Sequence, residues 1–160
     1  MDFSGHWHGY GPWIGTSALY HTEYLRRPQP IDPATLKSPK GQAFDAEHYK
    51  PFEQRTIPPM FTGHYLLRRP ADLADRTWKD PDSAVEWLAG IYRRYLPAPR
   101  FDGGAVDCGL DAKTHHARTA IAHGTDSVWC YYITGDRLIS YAVISCPNLP
   151  LHPEIPCPLG

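Results

Sequence analysis

Seventeen prolines in a chain of 160 residues set the tightest limit on its fold. Each lacks a backbone N–H and fixes φ, so none can sit inside a helix or a central strand without breaking the hydrogen-bond ladder. Pro28, Pro30, Pro33, Pro39, Pro51, Pro58 and Pro59 make residues 28–60 read as a long extended insert. A connection of that length in a compact domain is usually functional. Two helical turns fit within it. One is "DPATLK", with Asp32 as cap and Pro33 at the first helical position, and the other is "DAEHYKPFEQ", cut by Pro51. Prolines also punctuate residues 147–160, which read as an extended tail over the surface.

Between these stretches the patterning predicts strands and one long helix. "DPDSAVEWLAGIYRRYLP" begins with Asp80 as cap and Pro81 in the first turn, and Pro97 and Pro99 stop it. Ala84, Trp87, Leu88, Ile91 and Tyr95 fall on one helical stripe, which gives a helix over about 81–96. Strands are expected at 5–10, 18–26 and 60–68, and in "GGAVDCGL" and "HHARTAIAH". "SVWCYYITGDRLISYAVISC" reads as a hairpin turning on Gly135-Asp136. That register sets Thr134 opposite Arg137, Tyr132 opposite Ile139 and Cys130 opposite Tyr141, and turns Cys146 to the face away from Cys130. The expected fold is α+β: an antiparallel sheet or small β-barrel with one long helix packed on it, as a single domain over 1–160.

Composition narrows the function classes. A net charge of −1 supplies no global field for nucleic acid or an anionic membrane. No run approaches the length of a membrane span. "MDFSGHWHGY" has no basic start and no apolar run of signal-peptide length, so the expected location is cytoplasmic. Cys108, Cys130, Cys146 and Cys157 are then expected to be reduced, and to serve as small buried hydrophobes. No C-x-x-C pair occurs, which argues against a zinc knuckle. No phosphate loop or dinucleotide fingerprint is present, so no nucleotide cofactor is expected. No G-x-S-x-G elbow occurs either.

The chemistry concentrates in "SGHWHGYGPWIGTSALYHTEYL". On a strand, His6, His8 and Tyr10 share one face, and Trp7 and Gly9 the other. If residues 6–10 and 19–25 pair as a hairpin about Ile14-Gly15, His8 lies opposite His21 and His6 opposite Glu23. Three imidazoles and a carboxylate then form a metal-ligand set suited to Fe, Mn or Zn. A one-residue shift would separate them. The set is similar in kind to the H-x-H, Glu and His ligands of cupin enzymes, although Glu23 here falls beside His21 rather than soon after H-x-H. Within it His8 and His21 are the expected acid/base pair, tuned by Glu23. Trp7, Tyr10, Trp13, Tyr20, Tyr24, Arg27 and Arg69 are the expected substrate contacts.

"GHWHGYG" also contains G-x-W-x-G-x-G, which resembles the first strand of lipocalin-like barrels, including the haem-binding nitrobindin type. That resemblance implies a ligand barrel, with haem as an alternative cofactor held by an axial residue such as His123 or His152.

Three further features stand out. His115, His116 and His123 lie near Asp107, Asp111 and Asp126 in sequence, and His115 and His123 would share a strand face. Three pairs of arginines, Arg26-Arg27, Arg68-Arg69 and Arg93-Arg94, suit a phosphate or carboxylate clamp, or more commonly a solvated edge. "YLRRP" at 24–28 is echoed by "LLRRP" at 66–70, each at an expected strand end.

These features together favour a small enzyme. It would act on a hydrophobic or aromatic metabolite by His-based acid/base or metal-assisted chemistry: cyclisation, isomerisation, dehydration or oxidation. The alternatives are a ligand or haem carrier and a protein-interaction module. The expected partner is a small molecule, with no nucleic acid and no membrane, in a monomer or a homo-oligomer.

Overall fold

The computed structural model describes residues 3–28, 50–69 and 74–160. Among the described residues four strands form one open antiparallel sheet: β1 (His6–Thr16), β2 (Thr77–Trp78), β3 (Ser127–Ile133) and β4 (Arg137–Cys146). Their order is β2-β1-β4-β3, so the first strand of the chain and the last are the two central ones. The sheet does not close into a barrel. Helices are α1 (Ser17–Tyr20), α2 (Thr62–Leu67), α3 (Pro81–Arg94) and α4 (Leu110–Ala122). None of them is long and apolar enough to cross a membrane.

Strand alternation divides the sheet into two unlike faces. On one, Trp7, Trp129, Tyr141 and Val143 pack against Ala84, Leu88 and Tyr92 of α3 and Ala117 and Ile121 of α4. This is the main core, and its aromatic polar atoms are satisfied. Trp7 Nε1 donates to the Ile121 carbonyl at 3.1 Å, and the Tyr131 hydroxyl donates to the Tyr95 carbonyl at 2.8 Å. On the opposite face Tyr10, Ala142, Ile144 and Cys146 pack against Leu66 and Leu67 of α2, with Ile155 and Cys157 of the C-terminal segment over them. A third, smaller cluster joins Leu19, Leu25 and Ile57 with Trp13 and Tyr24.

Helix α3 forms as its caps dictate. Asp80 accepts the Ser83 N–H at 2.7 Å, Pro81 opens the first turn, and the helix ends at Arg94. Its buried stripe is Ala84, Val85, Leu88, Ala89 and Tyr92, which leaves Trp87, Ile91 and Tyr95 at the margin.

Elsewhere tertiary context overrides the alternation pattern. "HHARTAIAH" lies in α4, not in a strand. Ala112, Ala117, Ala120 and Ala122 carry strong helix propensity there, and Leu110, Ala117 and Ile121 supply the apolar stripe. α4 is thus a second long helix beside the expected one. "GGAVDCGL" is a connecting loop, and the strand expected at 60–68 is helix α2. The strand expected at 18–26 is instead α1 followed by a 3₁₀ turn over Glu23–Arg26. Thr16 caps that break by accepting the Leu19 N–H at 3.2 Å. Within the insert, "DPATLK" lies outside the described residues, and the end of "DAEHYKPFEQ" forms a 3₁₀ turn at Phe52–Gln54.

The β3–β4 hairpin exists one residue out of the expected register. Tyr132 pairs with Leu138 and Cys130 with Ser140, because Thr134, Gly135 and Asp136 together make the turn. Gly135 and Asp136 both adopt positive φ, of 83° and 53°, a geometry that glycine and aspartate tolerate best. The shift brings Cys146 to the same face as Cys130. Cys130 is nevertheless exposed, Cys146 is buried, and both thiols are free.

Candidate metal centre

β1 is the strand that assembles the site. It runs antiparallel to β4 with His6 opposite Cys146 and His8 opposite Ile144, and antiparallel to β2 with His8 opposite Thr77. His6, His8 and the side chain paired with His6 therefore share one sheet face. The chain after β4 then turns back. The half-buried Asp126 carboxylate accepts the Ser145 N–H at 2.9 Å and the Asn148 side-chain amide at 3.1 Å, which pins the start of this segment. A short antiparallel bridge between Asn148 and His152 continues the return. Cys157 arrives over the two histidines. The expectation of a merely extended tail gives way to a folded one.

The result is a cluster of His6, His8, Cys146 and Cys157, whose ligand atoms all lie within 4.8 Å of one another. His6 Nε2 and His8 Nε2 are 3.1 Å apart, and Cys157 Sγ sits 3.4 Å from the first and 3.5 Å from the second. Zinc bonds nitrogen at about 2.0–2.1 Å and sulfur at about 2.3 Å, so a tetrahedron has edges of roughly 3.3 Å between nitrogens and roughly 3.6 Å between nitrogen and sulfur. The observed edges fall close to both.

Electrostatics point the same way. His8 is fully buried, and burial, with His6 second, lowers its pKa to about 4. Burial also lowers His6, helped by the Lys79 ammonium. Both imidazoles are therefore neutral at pH 7, the form that ligates metal. Burial pushes the Cys146 thiol up to about 12, with Cys157 adding to the shift. A cation at the centre of the four atoms is what would reverse that cost. The far side of the His8 ring is fixed as well, with Nδ1 lying 2.9 Å from Thr77 Oγ1. With Nδ1–H donating to that hydroxyl, the Nε2 lone pair faces the cluster, the outer-shell arrangement that orients a histidine ligand.

This set shares only His6 and His8 with the ligands expected from sequence. His21 caps α1, with its Nδ1 donating to the Ser17 carbonyl at 2.8 Å. Glu23 pairs with Arg27 on the surface at 3.2 Å. Neither reaches His8, because β1 continues to Thr16 and pairs with β4 rather than turning back at Ile14-Gly15. The expected catalytic trio of His8, His21 and Glu23 is therefore not gathered. The cluster holds no carboxylate, so its donor set does not favour iron or manganese. The missing signal was Cys146 and Cys157. Spacing rules look for ligands close together in sequence, and the four residues of this cluster come from three separate segments of the chain.

The expected substrate contacts scatter. Trp7 belongs to the main core, and Tyr10 is buried on the ligand face. Trp13 packs on Tyr20 at 5.9 Å between ring centres, and the Arg26 guanidinium lies 3.8 Å over the Tyr20 ring. Tyr24 joins the small third cluster. Arg69 donates to the Ile57 carbonyl at 2.6 Å and stacks over Phe52. Arg26 donates to the neighbouring Pro58 carbonyl at 2.8 Å. The two echoed "LRRP" segments thus each send one buried arginine to the same stretch of backbone, rather than ending in two solvated edges. His115 and His116 are exposed on α4, and His123 caps its end with a bond to the Thr119 carbonyl. His152 pairs with Glu154.

No protein-family model matches this chain, and no curated protein or solved structure is found similar to it.

Proposed function

We propose that this protein is a metal-binding domain. In this reading His6, His8, Cys146 and Cys157 hold one Zn²⁺ ion, and the ion fastens the C-terminal segment to the sheet. The observation that carries it is the set of ligand-atom separations, 3.1, 3.4 and 3.5 Å among His6, His8 and Cys157, with Cys146 of the neighbouring strand bringing its sulfur within 4.8 Å of all three. A two-Cys, two-His set selects zinc over the hard cations. Four protein ligands leave no open position for water or substrate, which favours a structural ion over a catalytic one.

Elemental analysis of protein purified without a metal-affinity step tests this. The expected result is one zinc per chain, lost in His6→Ala and in Cys157→Ser. No zinc in the wild type, with none taken up on titration against a chromogenic chelator, would overturn it.

A second reading has one observation behind it. A groove of about 520 Å³ is lined by Tyr10, Trp13, Leu66, Arg69 and Arg76, with the Glu53 carboxylate also on its wall. Three of these, Tyr10, Trp13 and Arg69, are among the contacts that the sequence suggests for a hydrophobic or aromatic metabolite. Aromatic walls with a few cations suit a small aromatic acid. Quenching of tryptophan fluorescence by indole- and benzene-carboxylates, abolished in Trp13→Ala, would support it. An unchanged spectrum at millimolar ligand would remove it.

A further inference from the structure

We infer that Cys146 and Cys157 form an oxidation site, at which a hydroperoxide joins them in a disulfide and expels the metal while leaving the C-terminal segment tied to the sheet. The two sulfurs lie within 4.8 Å of one another. They differ in access: Cys157 is partly exposed on the returning segment, and Cys146 is buried at the end of β4. The other two thiols, Cys108 and Cys130, are both exposed and free, and neither joins the cluster.

The geometry orders the steps. The Cys157 thiolate attacks one peroxide oxygen, so that an S–O bond forms and the O–O bond breaks. The departing oxygen leaves as water or the corresponding alcohol after taking a proton. Cys157 is now a sulfenic acid. Cys146 sulfur then attacks Cys157 sulfur, the S–S bond forms, the S–O bond breaks, and the second oxygen leaves as water. Two thiols are oxidised by two electrons, and one peroxide is reduced by two. Buried Cys146 is shielded from direct attack, so it resolves rather than initiates.

Both sulfur ligands are consumed in one event. Two imidazoles remain, and they no longer close a tetrahedron. The joint between β4 and the tail stays closed, because the ion that bridged Cys146 and Cys157 is replaced by a covalent bond between the same two residues. The metal-release half of this inference rests on the zinc reading above, and the cross-link does not.

The test uses the full-length wild-type protein and hydrogen peroxide. One equivalent is expected to lower the intact mass by 2 Da per chain. Cleavage after Glu154 separates the two cysteines, so the peptide beginning at Ile155 should stay attached to the one holding Cys146 until reductant is added. Zinc appearing in a chromogenic chelator should match the disulfide formed, one for one. Cys146→Ser should instead accumulate a dimedone-reactive sulfenic acid at Cys157, and Cys108→Ser with Cys130→Ser should behave as wild type. Oxidation of Cys157 to sulfinic acid with no link to Cys146, or a disulfide through Cys108 or Cys130, would overturn the inference. If the protein carries no zinc but still forms the Cys146–Cys157 link, the metal reading fails and the oxidation site stands. If zinc is bound but no link forms, the reverse holds.

Discussion

On one face of the sheet, Trp7, Trp129 and Tyr141 meet Leu88 of α3 and Ile121 of α4. On the other, His6, His8 and Cys146 meet a six-residue helix and the last segment of the chain. β1 serves both, sending Trp7 one way and its two neighbours the other. The first face buries large apolar area under two long amphipathic helices, so hydrophobic transfer alone can hold it. The second has a thinner apolar cover, Leu66, Leu67 and Ile155, over a half-buried cluster of imidazoles and thiols. Its ring nitrogens and sulfurs face one another, and in the proposed reading a cation between them would add to the stability of this face. In the proposed reading, one sheet thus carries a self-sufficient side and a side that a metal ion would complete.

The largest expected effect tests the self-sufficient side. Leu88 is fully buried among aromatic rings, so Leu88→Ala should cost about 2–5 kcal/mol of unfolding free energy. Urea titration should return the same loss with zinc bound and after chelation. A loss that changes with zinc would mean that the two faces do not stand apart.

Metal removal tests the other side. A ligand present at a hundredfold above its dissociation constant stabilises by about 2.7 kcal/mol, and chelation should withdraw that amount. Hydrogen exchange should quicken over residues 147–160 and at the ends of β1 and β4 that carry His6 and Cys146. Amides of α3 and α4 should keep their protection. If the helices open together with the tail, the sheet is a single cooperative unit.

Gly9 sharpens the division within one strand. It sits between two residues of the ligand face, yet a β-carbon there would come within 2.8 Å of Trp78 and 3.2 Å of Trp87. Gly9→Val should therefore overpack the aromatic side and cost about 1–3 kcal/mol. Zinc stoichiometry should be unchanged. Loss of zinc at full occupancy of the fold would show that strain crosses the sheet.

How legible this was depended on the range of the signal. Alternation along β1 placed His6 and His8 on one face and Trp7 on the other, and both placements hold. The caps of α3 were legible because Asp80, Pro81 and Pro97 act within a turn or two. The strand expected at 18–26 failed because apolar–polar alternation in "SALYHTEYL" is compatible with a short helix once Thr16 caps it. α4 departs from the expected strand for the same reason, since its alanines and histidines alternate as well as they spiral. Two of the four residues of the candidate centre are legible in H-W-H, and local pairing points to His21 and Glu23 as their companions because a hairpin is the shortest-range partner for β1. Cys146 and Cys157 complete it in space, which follows only from the β1–β4 pairing, a contact between opposite ends of the chain. No local pattern encodes that register.

The smallest expected effect isolates how the ligand face is tuned. Thr77 comes from the edge strand β2, opposite His8 in the ladder, and its hydroxyl lies 2.9 Å from His8 Nδ1. Valine has the same shape and no acceptor, so Thr77→Val leaves the His8 ring without the bond that fixes its tautomer and angle. Zinc affinity should fall about 10–100-fold, the usual consequence of losing an outer-shell partner. Thr77→Ser, which keeps the hydroxyl, should recover most of it. The comparison of the two variants separates the hydrogen bond from the methyl group, because a role in packing alone would be kept by valine and weakened by serine. Competition against a chelator of known affinity reads the difference. Equal affinities in the valine variant and the wild type would show that His8 is held by β1 and β4 alone, and the metal side of the sheet would then end at its two central strands.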